Sequence, residues 1–350
     1  MPLLQSPERL HASLRAHLRE AYGLDIASLQ RLHLGADVNA AVFRATTDGG
    51  TSYFVKVRHG DFDAISVTLP GFLGRQGIPH LIVPVESRSG QGWTRLDDVT
   101  VVVHPFVAGR SGMEAALSQQ HWRDLGRALR RIHDAALPPA LARGLRRETF
   151  SPHARDTVRA FLAALDTQVP AGDDARRFLA FVKEHSEDVR QLVKRAEALG
   201  LALERRAPDF TVCHADLHAG NVLIGDDGGF FIVDWDQPVL APRERDLMFV
   251  GGAQGFLGHS AEEEHALFHQ GYGPVQVDWD ALAYYRHERI VQDIAEYCEQ
   301  FALASAGEDG RMPALPYLLG TFLPGGTAAR ARAVDPASRG DGEQPHRRGT

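Results

Sequence analysis

The sequence is poor in cysteine, in long apolar runs and in net positive charge, and each shortage removes a class of protein. Cys213 and Cys298, far apart in the chain, make no disulfide framework and suit a reducing compartment. No segment has the length and apolarity of a membrane span. Met1–Arg15 (MPLLQSPERLHASLR) carries neither the apolar run nor the cleavage pattern of a secretory leader. A formal net charge of −7 gives no general grip on nucleic acid or on an anionic bilayer. We therefore expect a soluble, cytoplasmic monomer with neither a nucleic-acid nor a membrane partner.

Of the 350 residues 44% are hydrophobic and 24% charged, an ordinary globular balance with the length for two sub-domains. Ser6 suits an N-cap and Pro7 a first helical position, and Leu10, Leu14, Leu18 and Tyr22 then recur at near-helical spacing. After Gly23 the pattern turns to strands. LQRLHLG, NAAVFRAT, SYFVKVR, LIVPVES and VTVVVHPFV predict a five-stranded antiparallel sheet, with a DGG turn between the second and third. Pro105 and Gly109 interrupt this pattern, so 105–110 reads as a hinge. From Ser118 the chain is mainly helical. Trp122, Leu125, Leu129 and Ile132 form an apolar stripe, and helices are expected near 153–166, 173–200, 261–270 and 279–304. Residues 325–350, rich in Gly, Arg, Pro and Ser and without apolar period, read as a disordered tail.

The densest chemistry lies in Cys213–Asp236, CHADLHAGNVLIGDDGGFFIVDWD. Val222–Ile224 and Phe230–Val233 flank a GDDGG turn, which is a hairpin signal. Asn221 enters the hairpin and Asp234 leaves it, so the two should stand side by side at its open end. Two oxygen donors held in that way suit Mg²⁺ together with substrate phosphates. Asp216, five residues before Asn221, is placed to orient a hydroxyl and accept its proton. Phosphoryl transfer asks little more of side chains, because it is driven by positioning and charge neutralisation. Asp226 and Asp227 read as turn residues only. His214, His218 and Cys213 lack the spacing and the further ligands of a zinc site; His214 is expected to brace the loop.

In SYFVKVR, alternation puts Phe54 and Lys56 on one face and Val55 and Val57 on the other. A lysine in an apolar strand needs an anionic partner, and the phosphates of ATP supply one, with Phe54 against adenine. Val42, Leu223 and Val233 are candidates for the rest of the adenine pocket, and the backbone of His104, Phe106 and Val107 for its hydrogen bonds. The loop LGADVN, with Gly35, Asp37 and Asn39, would cover the phosphates.

The order His-x-Asp, Asn five residues on, and Asp after a short hairpin resembles the catalytic loop and metal-binding Asp of kinases. His218 stands where protein kinases carry a lysine, so a γ-phosphate contact is open to it. LGADVN has one glycine where protein kinases have three. No Glu occurs between Lys56 and Glu86 to serve as the helix partner of the lysine; Asp61 or Asp63 is the substitute considered, with Asp63 preferred. Pro70 and Gly71 are expected to interrupt any long helix there.

CHADLHAGNVLI followed by FIVDWD resembles the aminoglycoside phosphotransferase family, and GADVNAAVFRA, SYFVKVR, DWDQPVLAPRERDLMFVGG and YYRHERIVQDIAEY look like the branch of it that acts on the aminocyclitol spectinomycin. The resemblance runs from about Leu10 to Ala302. It implies an α+β, bilobal protein-kinase-like fold with a nucleotide-binding lobe at 1–104, a hinge at 105–110 and a larger, mainly helical catalytic and substrate lobe at 111–324. It also implies ATP- and Mg²⁺-dependent phosphorylation of a spectinomycin hydroxyl, the 9-hydroxyl, giving antibiotic resistance. Asp216 becomes the base, Asn221 and Asp234 the metal ligands, Lys56 the phosphate-binding lysine, and Asp246 a stiffener of the catalytic loop. An amine-bearing drug calls for acids, and Asp236, Glu244, Glu288, Asp293 and Glu296 are available, although Arg289 is placed to pair with Asp293 on a solvated helix face. Kinases of choline, sugars or homoserine and a non-catalytic nucleotide-binding regulator stay open as alternatives. A protein kinase does not, because DWDQPVLAPRERD contains no Ser, Thr or Tyr for a phosphorylated activation segment.

Overall fold

Helix α1 (Pro7–His17) runs on through one π-helical turn, Leu18–Tyr22, and stops at Gly23, whose φ of +71° supplies a left-handed cap. The computed structural model describes residues 7–32, 39–305 and 315–338, so Ser6, Gly35 and Asp37 lie outside the described residues. The apolar face read from the sequence is the buried one: Leu10, Leu14, Leu18 and Tyr22 are all in the core.

The core they enter is one face of an antiparallel sheet of β1 (Ile26–Leu32), β2 (Ala40–Thr47), β3 (Ser52–His59), β4 (Trp93–Leu96) and β5 (Val99–Pro105), in the order β1-β2-β3-β5-β4. Ala41, Phe43, Ala45, Val55, Val57, Val99, Val101 and Val103 fill that face together with the α1 residues. Period-two alternation sends Val42, Phe54, Lys56 and His104 to the other side, and the register pairs Val42 with Lys56 and Phe54 with His104.

The fifth strand is not LIVPVES. Pro84 has no N–H for a ladder, and the segment meets other strands through a bridge from Leu81 to Ile232 and a bond from the Val85 N–H to Val103 O at 2.8 Å, while Ser87 bonds within the turn that follows. The edge is taken instead by WTRL, which reaches β5 through Asp97 at φ +50°. Helix α2 (Ile65–Arg75) also corrects the expected break, since it continues through Pro70 and Gly71. Burial of Ile65, Val67, Leu69 and Leu73 offsets the one N–H that the proline removes.

After β5 the chain forms β6 (Gly109–Ser111), which pairs with Val222–Gly225 and through it with Phe230–Ile232. Only glycine fits at 109, because a Cβ there would lie 2.2 Å from the carbonyl oxygen of Ile224. Helix α3 (Gln119–His133) follows a capping box in which Ser118 and His121 exchange hydrogen bonds, and it buries Trp122, Leu125, Leu129 and Ile132.

Two compact units result. One takes in the chain up to Arg146, His214–Val239 and Gly255–Gly258; the other takes Arg147–Cys213, Leu240–Gln254 and the chain from His259. Residues 105–110 lead into β6, whose pairing with the hairpin keeps residues 111–146 with the first unit. The second unit is helical, built on His153–Ala163, Asp173–Glu184, Ser186–Arg206, Ala261–Tyr272 and Trp279–Ser305, with the expected 173–200 helix broken at His185. Residues 325–338 are not a structureless tail. Thr327–Val334 is a helix whose Ala328 and Ala331 are fully buried, and Asp335 holds Arg195 through two bonds of 2.7 and 2.6 Å. Alanines gave no visible apolar stripe, yet their small size lets the helix pack closely; residues 339–350 lie outside the described residues. No helix among the described residues is long and apolar enough to cross a membrane.

Candidate active site

The loop His214–Asn221 is organised around its buried first residue. His214 accepts the Asp216 N–H on Nδ1 at 3.3 Å, so Nε2 carries the proton and donates to Val233 O at 2.9 Å. Trp235 meets the imidazole edge-on, with ring centroids 4.6 Å apart. Between His214 and Asp216, Ala215 is held at φ +73°, a left-handed conformation that strains a residue with a Cβ by about 1–2 kcal/mol. The turn presents the half-buried Asp216 carboxylate.

Asn221 folds back on that carboxylate. Its Nδ2 donates to Asp216 O at 2.8 Å and to Asp216 Oδ2 at 3.2 Å, which leaves the amide oxygen as the group able to ligate a cation. His218 Nδ1 accepts the Gly220 N–H at 3.0 Å, so its Nε2–H faces Asp216 Oδ2, 3.5 Å away. The Val233 N–H bonds Asn221 O at 3.0 Å and closes the hairpin, after which Asp234 turns out at φ +64°. The hairpin thus brings Asn221 and the start of the Asp234 segment together as its pattern suggests.

Asp234 meets solvent, yet the protein around it raises its pKa. Burial is the largest cause and the charge of Asp236 the next; Lys56 and His214 oppose them, and Asp216 adds a further upward push. Asp216, Asp234 and Asp236 therefore crowd like charge into one region of the first unit. An amide oxygen and a carboxylate are the hard donors that Mg²⁺ takes, and a cation there would relieve this crowding, so the donor set fits the metal.

The exposed side of the sheet supplies the neighbouring surface. Lys56 Nζ lies 2.7 Å from Asp236 Oδ2, and Arg58 Nη1 lies 4.0 Å from the same oxygen. Val42 is buried beside Lys56, and the Phe54 and His104 rings meet at 6.3 Å. Burial pushes the pKa of His104 down to about 4; Lys56 pushes the same way against Asp236, and the ring is neutral near pH 7. Leu223 and Val233 are half-buried, and a methyl on Gly225 would touch Val107 at 3.5 Å. Asn39 is exposed, its carbonyl bonded by the His59 N–H at 2.9 Å. Phe106 is half-buried. Its N–H is spent on Ser52 O at 3.1 Å, and its ring carries the Arg44 guanidinium at 4.5 Å.

The acids expected to meet an amine are also redistributed. Asp236 pairs with Lys56, whereas Asp63, the favoured partner of that lysine, caps α2 by accepting the Ile65 N–H at 3.0 Å. In the second unit Glu244 is buried and accepts the Asp278 N–H at 2.9 Å. Glu288, 2% exposed, is bonded to the equally enclosed Arg155 at 2.8 Å. Neither is open to a ligand, because each is consumed inside the helical core. Asp293 pairs with Arg289 at 3.0 Å, and Glu296 is exposed on the same helix. Sequence reasoning missed the link from Lys56 to Asp236, for which the acid-free α2 and the doubled acid of DWD were the available signals.

A strand lysine, a braced loop with Asp and Asn, and an Asp at the exit of a hairpin define a phosphotransferase of protein-kinase-like fold. The chain belongs to the phosphotransferase enzyme family APH, whose model matches residues 29–285. It is similar to spectinomycin phosphotransferase APH(9)-Ia, solved in complex with ADP and spectinomycin, with a TM-score of 0.85 and 33% identity over 92% of this chain and 98% of that one. Protein StrN of Streptomyces griseus is 25% identical over 248 residues, 67% of this chain and 69% of StrN. Amicoumacin kinase hAmiN shares the fold, with a TM-score of 0.58 at 17% identity over 94% of this chain and 97% of that one.

Proposed function

We propose that the protein transfers the γ-phosphate of ATP to a hydroxyl of spectinomycin, the 9-hydroxyl, and so inactivates the antibiotic. The observation that carries the reading is the convergence of Asn221 on the Asp216 carboxylate beside Asp234; the likeness to APH(9)-Ia over 92% of the chain supports the choice of drug. Lys56 grips the nucleotide phosphates, with Val42, Phe54, His104, Val107, Leu223 and Val233 around the base. Asn221 and Asp234 hold Mg²⁺, which when bound neutralises phosphate charge and orients the γ-phosphoryl group. Asp216 aligns the acceptor hydroxyl and takes its proton as the new O–P bond forms and the bond to the ADP oxygen breaks. His218, with its N–H toward Asp216, keeps the carboxylate aimed. Of the acids foreseen for the drug's ammonium groups, Asp293 and Glu296 keep solvent access and retain that assignment.

The test is ADP release measured with spectinomycin, other aminocyclitols, choline and sugars, with the phosphorylated position located by NMR. Spectinomycin-dependent turnover at the 9-hydroxyl is expected. Brisk turnover of another alcohol with none on spectinomycin would overturn the assignment.

A further inference from the structure

We propose that Asp236 is the positioning residue for Lys56, supplying from the second acidic place of DWD the carboxylate that α2 lacks. The helix ISVTLPGFLGR contains no acid at all. Three other carboxylates of the first unit have partners of their own: Asp63 the Ile65 N–H, Glu86 Arg75 at 3.1 Å, and Asp98 His59 at 3.3 Å. Asp236 reaches Lys56 at 2.7 Å, with the two side chains only 36% and 25% exposed.

The backbone that delivers Asp236 is pinned. Trp235 is 6% exposed, its indole N–H bonds Ile232 O at 3.4 Å, and its ring meets His214 edge-on. With the indole turned inward, its two flanking aspartates divide the work. Asp234 serves the cation, while Asp236 stands between Lys56 and Arg58 on the sheet. A lysine has three donors on a flexible stem. One bond to Asp236 restrains the stem and leaves two donors for phosphate oxygens. This also removes Asp236 from the acids that meet the substrate.

The proposal rests on Lys56 as a phosphate ligand, and the experiment separates the two ideas. Transfer of label from γ-labelled ATP to the acceptor chosen by the substrate panel is followed for Asp236→Asn, Asp236→Glu, Lys56→Met and Lys56→Met/Asp236→Asn. Asp236→Asn should lower kcat on the order of tenfold or more, as expected when a charged group near the reaction loses its alignment, and Asp236→Glu should recover part of it. In the Lys56→Met background Asp236→Asn should cost nothing further. Asp236→Glu keeps the negative charge beside Asp234, so for that variant the Mg²⁺ concentration for half-maximal rate should not move. Equal losses in both backgrounds, or a raised Mg²⁺ requirement in the charge-conserving Asp236→Glu, would overturn the proposal and give Asp236 an independent or metal-binding part. A Lys56→Met enzyme with wild-type kcat and nucleotide KM would instead remove the phosphate role of Lys56, and the proposal with it.

Discussion

In the first unit Asp216, Asp234 and Asp236 crowd one another, and the pKa of Asp234 is raised by burial and by both neighbours. In the second unit Glu244, Glu288 and Asp335 are each buried against dedicated donors: the Asp278 N–H, Arg155 and Arg195. The same residue types thus serve opposite ends. Burial pushes the pKa of Glu244 and Glu288 up as well, Glu288 to about 7, but each is enclosed against a protein donor and acts as architecture. Carboxylates pressed together without enough cations keep a negative potential, and a divalent ion or a hydroxyl proton can answer it.

The contrast breaks first at Glu288. Glu288→Ala leaves Arg155 buried and unpaired, and should destabilise the protein by about 3–5 kcal/mol in urea unfolding, with turnover per folded molecule retained. A stable Glu288→Ala protein with a raised KM for substrate would put that acid in the site instead. At the other pole, Asp216→Ala should lower kcat by at least ~10²-fold, the scale of a lost general base, while unfolding and nucleotide affinity change little. Collapse of affinity with turnover intact would mean that Asp216 binds rather than catalyses.

His104 gives a pH test. Its pKa falls from 6.5 unfolded to about 4 folded, so between those values the unfolded chain binds more protons. Its contribution to stability is therefore present above about 6.5 and is lost as the pH falls toward 4. Denaturant midpoints across pH 4–7 should drop less steeply for His104→Gln than for the native chain; parallel curves would remove the effect. The smallest change is expected at Asp293, whose partly exposed pair with Arg289 stabilises its helix by about 0.3–0.5 kcal/mol. Asp293→Asn should hardly alter melting, and a rise in KM for spectinomycin alone would sharpen its assignment to the drug.

Much of the site was legible because its logic is local. The GDDGG turn announces a hairpin, the hairpin sets Asn221 near the Asp234 segment, and alternation along SYFVKVR turns Lys56 away from the core. Long-range choices were less visible. LIVPVES has strand composition, but Pro84 spoils its ladder, and WTRL takes the edge. TAARARAV has no apolar stripe, yet two buried alanines dock it. Nothing near Gly109 in the chain reveals the carbonyl of Ile224 that demands a glycine there.

The sequence by itself determined which groups enter the catalytic loop, where the hairpin turns and which way the strand residues point. Those outcomes follow from turn chemistry and period-two geometry among residues close in the chain. Only the tertiary structure decided that Lys56 meets Asp236, 180 positions on, and that Glu244 and Glu288 are spent inside the helical unit. Pairing and desolvation depend on distance and enclosure in space, and spacing along the chain specifies neither.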